Sequence, residues 1–279
     1  MAEADPPMLS PTVGRRWLAQ EIRRLREAAG FKQSDVAKRL RCNPTKITHI
    51  ETMRNPINGP DLEVMLPFFG VPADQIDWYL QVCDLSKTKG WWDGDQAIPS
   101  WFSLYVGLEW GASEIRWWDM GFVYGMLQTR GYAEAVLQDL NAVDSRLHRQ
   151  KALYRDTSPL RVHAIFDESV LLRQVGDAET MREQLKHLVA LSKLATITIQ
   201  VMPLSTGAHR SHLGSYHWLG FPQDGDPGAV YVENQLGGQF LEKPEELAVF
   251  AADFAELTKL ALSAKESVAL IAQRAEELQ

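Results

Sequence analysis

The chain has 279 residues, 45% hydrophobic and 23% charged, with a formal net charge of −7. That length suits one large or two ordinary domains with real cores, and the composition is that of a water-soluble globular protein. It has no apolar run of about 18 residues and no basic-then-apolar leader, so neither a membrane span nor a signal peptide is expected. The only cysteines, Cys42 and Cys83, fit a reducing cytoplasm and make no disulfide framework or zinc spacing.

The charge is unevenly placed. From Gly14 to Pro60 eleven Lys/Arg stand against four acids, a net of +7, while residues 61–279 carry −12. A basic head on an acidic body implies that the head meets phosphates.

Residues 1–13, rich in proline and small residues, read as a disordered tail. A first helix is predicted from Arg16 to Ala29, with Leu18, Ile22 and Leu25 on one face and Gly30 as its stop. Gln33 opens a second helix that buries Val36, Ala37 and Leu40. Arg41 and Cys42 turn the chain, Asn43 is a good N-cap, and Pro44 suits the first position of a third helix. That helix buries Ile47 and Ile50. Thr45, His49 and Thr52 fall opposite, with Lys46 and Thr48 on the flanks. An exposed helix carrying such side chains suits the major groove of DNA. The expected DNA contacts are Gln33 (as a phosphate clamp), Asn43, Pro44, Thr45, Lys46, Thr48, His49, Arg54 and Asn55. Short helices over Asp61–Phe69 and Ala73–Asp84 complete a five-helix, all-α, repressor-like head at 14–83. Residues 84–100 read as a linker, and the adjacent Trp91 and Trp92 predict that it packs on the second domain.

The domain at 101–279 is predicted to be α+β. Helices are expected over Ser103–Asp119, Met126–Leu140 and Ser145–Tyr154. Strands are expected over Arg161–Phe166, Thr196–Val201, Gly214–Leu219, Ala229–Glu233 and Gln239–Leu241, in a mixed or antiparallel sheet. A helix over Ala178–Ser192 separates the first two strands. Helices over Pro244–Leu260 and Ser263–Leu278 close the chain, the last opened by a Ser263–Glu266 capping box.

The chemistry-bearing residues point away from catalysis. His209, His212 and His217 lie where a loop enters a strand and need not converge, so no metal site is expected. Glu109, Glu114, Asp167 and Glu168 could be imagined as paired acids, but nothing fixes their separation. Glu109, on an apolar helix, needs a cation such as Arg116 or Arg173. Known nucleophile, phosphate-loop and metalloprotease motifs are absent, so no enzyme activity and no cofactor are expected. The nine tryptophans concentrate between Trp91 and Trp118. Trp117 and Trp118 on one helix would need a wide enclosing arc, so one is expected to line a cavity or interface. The ligand-or-partner candidates are Glu109, Arg116, Trp117, Gln128, Tyr132, Arg173 and His209.

Two resemblances bear on function. The Gln33–Glu51 stretch resembles the Xre/phage-repressor helix-turn-helix, with Arg41 where that family usually has a left-handed glycine. The stretches SLYVGLEWGASEIRWWDMGFVYGMLQTRGYAEAVL, RQKAL, FDESVLLRQVGDAETMREQLKHLVAL, TITIQVMPLSTGAH and VYVEN are similar to the C-terminal domain of a large actinobacterial family of antitoxin-like regulators. Tyr124-Gly125-Met126-Leu127-Gln128-Thr129 stands where that family reads Pro-Gly-Leu-Leu-Gln-Thr. The resemblance implies a transcriptional regulator acting on double-stranded DNA, often encoded beside a small partner protein. The cysteine usage points to the cytoplasm, and reading two half-sites with basic heads that repel each other predicts a homodimer held through the C-terminal domain. The second domain is expected to be either a small-molecule sensor, marked by an apolar cavity with convergent polar groups, or a docking surface without one.

Overall fold

The computed structural model describes residues 10–223 and 225–278, which divide into two compact units meeting at Gly94–Asp95. Among them no helix is long and apolar enough to cross a membrane.

The first unit holds five helices: α1 (Pro11–Ala28), α2 (Gln33–Leu40), α3 (Pro44–Glu51), α4 (Gly59–Phe68) and α5 (Ala73–Lys87). Most of the expected tail, residues 1–9, lies outside the described residues. Its last four residues correct the prediction. The Ser10 hydroxyl accepts the Val13 N–H at 3.2 Å, Pro11 takes the first helical turn, and Val13 is fully buried. The cap starts α1 five residues earlier than the apolar spacing indicated. Leu18, Ile22, Val36, Ala37, Ile47, Ile50, Leu62, Met65 and Val82 form the core. Arg41 closes α2 in the left-handed conformation, φ 53°, ψ 43°. Arginine thus accepts a strain on the order of 1 kcal/mol to keep the tight turn into α3. The far end also differs from expectation. Ser86 is buried and its hydroxyl donates to the Cys83 carbonyl at 2.7 Å, so α5 runs on to Lys87. Trp91 and Trp92, expected on the second domain, belong to the first unit, with Trp92 buried and its ring edge-on to Trp91.

The second unit is built on a six-stranded mixed sheet in the order β3-β2-β1-β4-β5-β6. The strands are β1 (Glu114–Asp119), β2 (Arg161–Asp167), β3 (Ile197–Met202), β4 (Tyr216–Gly220), β5 (Ala229–Asn234) and β6 (Gly237–Leu241). β1, β2 and β3 are parallel, and β4, β5 and β6 continue the sheet antiparallel from β1. The helices are α6 (Ser100–Gly111), α7 (Arg130–Leu137), α8 (Leu140–Arg149), α9 (Ser169–Leu172), α10 (Ala178–Leu191), α11 (Pro244–Leu260) and α12 (Ala264–Glu277).

Five strands and the last three predicted helices fall where the alternation and caps put them. The Ser263–Glu266 box forms, the Ser263 hydroxyl accepting the Glu266 N–H at 3.3 Å. The predicted helix over Ser103–Asp119 is wrong in its second half. α6 stops at Gly111, and EIRWWD is β1, whose side chains alternate across the sheet. Trp118 then packs with Ile165, Tyr216, Val230 and, from α11, Leu247, Phe254 and Leu257. Trp117 faces the other side, stacked on Tyr124 at 4.9 Å and edge-on to Phe166. Both indoles are buried because both faces of the sheet are covered. The helix predicted over Met126–Leu140 is likewise divided. Gly125–Leu127 is a 3-10 turn, and α7 begins only after Thr129, whose hydroxyl caps it by accepting the Tyr132 N–H at 3.3 Å. α8 opens on an Asp139 cap and relaxes into a 3-10 turn over Gln150–Tyr154.

Candidate functional site

In the first unit the exposed rim of α3 is formed by Asn43, Pro44 and Thr45, with Arg54 and Asn55 exposed just beyond it. Asn43 accepts the Thr45 N–H at 2.9 Å, which leaves the Thr45 hydroxyl at the helix entry. His49 is half-buried with Nδ1 3.5 Å from the Asn55 amide nitrogen, so it leans on Asn55 rather than on Glu51 or Arg54. Lys46 is ion-paired with Asp61 at 2.5 Å and must give up that contact to reach a base or phosphate.

Gln33 and Thr48 are turned inward instead of outward. The Gln33 amide donates to Glu51 Oε2 and accepts the Thr48 hydroxyl, both at 2.8 Å. Glu51 in turn takes two bonds from Arg26 of α1, at 2.6 and 2.9 Å, and Arg26 also donates to the Phe31 carbonyl. This network fastens α3 to α1 and α2. Gln33 therefore braces α3, and this uses one of the two N–H donors of its amide.

In the second unit the register aligns Trp117 of β1, His217 of β4, Tyr231 of β5 and Phe240 of β6 in one row across the sheet. Gly238 leaves room for the row, since a Cβ there would overlap the Tyr231 ring. Trp117, His217 and Tyr231 of this row floor a cleft of about 1050 Å³ at the C-terminal end of β1, walled by Trp101, Phe102, Tyr105, Phe122 and Tyr124. Its polar lining includes Asp119, Gln128, Arg146, Arg149, His217 and Glu233. The C-terminal ends of parallel strands are where open α/β sheets hold ligands, and the size is at the upper end for small-molecule sites.

Beneath the cleft lies a buried polar cluster. Arg149 of α8 makes two bonds to Glu109 of α6, at 2.6 and 2.8 Å. Tyr124 and Tyr105 donate to Glu109 Oε1 at 2.6 and 2.9 Å, and Tyr105 lies 2.8 Å from His217 Nδ1. Burial pushes the Glu109 carboxyl up, but the Arg149 guanidinium and the tyrosine hydroxyls outweigh it and hold it below the usual range. With Glu109 ionised, Tyr105 donates to it and accepts from His217, which places the His217 proton on Nδ1. Tyr124 thus supplies a hydrogen bond to this carboxylate as short as that from Arg149 Nε.

The sequence candidates divide accordingly. Trp117 and Gln128 line the cleft, and Glu109 sits below it. Glu109 pairs with neither expected cation: Arg116 is bonded to Glu114 at 2.7 Å, and Arg173 is exposed at the end of α9. Tyr132 is buried, its hydroxyl accepting the Val123 N–H. The imagined acid pairs do not form, since Glu168 pairs with Arg274 and Asp167 accepts the Ser169 N–H. Arg146 and Arg149 were missed. Their spacing of three on one helix, with Arg149 on its buried face, was the available signal. The histidines also correct the expectation in part. His217 stands in the cleft, whereas His209 and His212 are adjacent, ring centroids 4.0 Å apart, beside Asp167.

Two donors on residues that line the cleft have no acceptor among the described residues: Trp117 Nε1 and Arg146 Nε are buried without a hydrogen-bond partner. Arg146 bonds Gln128 Oε1 at 2.7 Å and makes no ion pair among the described residues. Burial and the neighbouring Arg149 bring its pKa down to about 10, so it stays charged at neutral pH.

Burial also pushes His217 down to about 3, from an ordinary value of 6.5. The unfolded chain therefore takes up this proton well before the folded one. Stability is expected to fall as pH drops from 6.5 toward 3, by at most about 1.4 kcal/mol per pH unit from this group. The ring borders the cleft, and solvent there keeps the effect below that ceiling. His217→Asn should flatten the pH dependence of the urea midpoint between pH 6.5 and 5 (a range set above ordinary carboxylate titration). An unchanged slope would refute a buried neutral His217.

A family model described as a helix-turn-helix domain matches residues 17–78, and one described as a domain of unknown function (DUF5753) matches residues 102–273. No curated protein and no solved structure matches the chain. The first match, with the exposed entry to α3, suits a DNA-binding regulator. The second covers more than half of the chain, and the chain therefore belongs to the DUF5753 family, with a helix-turn-helix domain preceding the family domain.

Proposed function

We propose that this protein is a cytoplasmic transcriptional regulator of the Xre type, whose second unit senses a small molecule. The observation that carries the sensor reading is the 1050 Å³ aromatic cleft with two unpaired buried donors, Trp117 Nε1 and Arg146 Nε. Buried donors without acceptors cost free energy that a ligand oxygen would recover. The ligand class is a flat, apolar molecule carrying a carboxylate or carbonyl group. The alternative is an antitoxin-like protein whose main role is to hold a cognate protein encoded nearby. It would be favoured by an exposed patch without a cavity, so the cleft weighs for the sensor. We assign no catalytic role to the cleft: its one buried carboxylate–histidine relay ends in the Glu109–Arg149 pair. Homodimerisation through the second unit fits the need to read two half-sites while two heads of net +7 repel each other.

The test begins with DNA selected by the intact chain from a random pool. Affinity should fall with salt at a log–log slope of about −0.9 per phosphate neutralised. Thr45→Ala and His49→Ala should each cost roughly 1–3 kcal/mol on the selected sequence and almost nothing on random DNA. Equal losses on both would remove these residues from the reading face. Arg146→Met should leave DNA affinity intact but abolish any effect on it of an aromatic carboxylate that raises the melting temperature of the wild type. Failure to find one in a screen of such acids would count against the sensor.

A further inference from the structure

We propose that Asp167, His209 and His212 form a binding site for a divalent transition-metal ion, zinc in the first instance. Asp167 ends β2, while His209 and His212 flank the start of a 3-10 turn over Arg210–Leu213. In a 3-10 turn residues three apart eclipse one another, which sets both imidazoles on the same side. One ligand atom from each of the three residues lies within 4.8 Å of the others. Zinc–nitrogen and zinc–oxygen bonds of about 2.0–2.2 Å imply tetrahedral edges of about 3.4 Å, so small side-chain rotations close the set.

The independent observation is His209. Both of its ring nitrogens are buried, and neither has a hydrogen-bond partner. A neutral imidazole has one donor and one acceptor, and burying both unused is costly. A metal ion satisfies the acceptor outright. The neighbours are placed to support it. His212 Nδ1 lies 3.2 Å from both the His209 backbone N–H and the His209 carbonyl oxygen, and the tautomer that donates to the carbonyl leaves Nε2 free to bind the ion. One Asp167 oxygen accepts the Ser169 N–H at 2.9 Å, which orients the carboxylate and leaves the other oxygen available. Three protein ligands leave a fourth position, which would open on a cleft of about 440 Å³ walled by Pro203, Leu204, Gly207 and Ala208. Two imidazoles and one carboxylate suit zinc better than calcium or magnesium, which prefer all-oxygen sets. The ion would tie the segment between β3 and β4 to the end of β2. This site is separate from the aromatic cleft, and the proposal does not depend on the sensor reading.

The test is a titration of the tag-free, full-length protein with zinc by calorimetry and with cobalt by visible absorption. One equivalent per chain is expected, with cobalt developing the bands of a low-symmetry nitrogen–oxygen site. His209→Ala and His212→Ala should each weaken binding by at least about tenfold, whereas His187→Ala should not. His212 is exposed, so His212→Gln keeps the test intact if His209→Ala fails to fold, with folding checked by circular dichroism. No saturable binding by the intact chain, or unchanged affinity in folded His212 variants, overturns the proposal.

Discussion

Glu109→Leu should destabilise the second unit by about 3–5 kcal/mol, the cost of stranding a buried charge. Arg149 is nearly inaccessible, as is Glu109, and removing the carboxylate takes away the anion it is bonded to, leaving the guanidinium against the Phe102 and Tyr105 rings. Two tyrosine hydroxyls lose their acceptor in the same step. Arg149→Met should cost a similar amount by stranding Glu109. The informative variant is the double one. Glu109→Leu with Arg149→Met removes both charges, and it should recover at least half of either single loss, because a buried pair is often no better than apolar residues of its size. The readout is the second unit's transition in calorimetry or urea. A single variant within about 1 kcal/mol of wild type would show that the pair is not buried as described. The acid limb gives an internal check. A carboxyl held below its ordinary value stabilises the fold above about pH 4.5 and loses that contribution as pH falls through its folded value. The single Glu109→Leu variant should therefore lack this part of the acid unfolding.

Glu51→Ala should abolish DNA binding on selected and random sequences alike. Glu51 takes two bonds from Arg26 and one from Gln33, and these join α1, α2 and α3. The hydrogen bonds to Glu51 hold Arg26 above its ordinary pKa. The pair is about as inaccessible to solvent as Glu109–Arg149, so losing the carboxylate should also cost about 3 kcal/mol. The larger consequence is geometric, because a reading helix displaced by about 1 Å loses its base and phosphate contacts together. Glu51→Gln keeps the shape and should retain part of the binding. Gel-shift titration at fixed salt separates this outcome from that of Thr45→Ala, which should lose only the selected sequence. If Glu51→Ala keeps full affinity, the network is not what sets α3.

What was legible in the sequence is what short-range physics controls. Asn43 and Pro44 start α3, Ser263 and Glu266 start α12, and alternation marks the strands from Arg161 onward, because caps and periodicity act over a few residues. The split of charge between the two parts of the chain was equally plain. Where local signals compete, the reading went wrong. Ser10 and Pro11 start a helix inside the presumed tail. Gly111 ends one that the apolar spacing carried on through Trp117 and Trp118.

The sequence by itself determined two units, a helix-turn-helix and a mixed α+β body, and the exposed residues at the entry to α3. Tertiary structure alone decided which partners meet. Glu109 pairs with Arg149, forty positions away, and not with Arg116, because α6 and α8 bring their buried faces together while β1 turns Arg116 toward Glu114. Gln33 braces Glu51 because α3 folds back across it. Asp167 reaches His209 and His212 because β2 ends beside the turn that precedes β4. Trp117, His217 and Tyr231 share a cleft because strand register aligns residues from three distant segments. Pairings of this kind depend on crossovers between strands and on how helices cover the sheet, and neither is encoded within the span of a helical turn or a strand pleat.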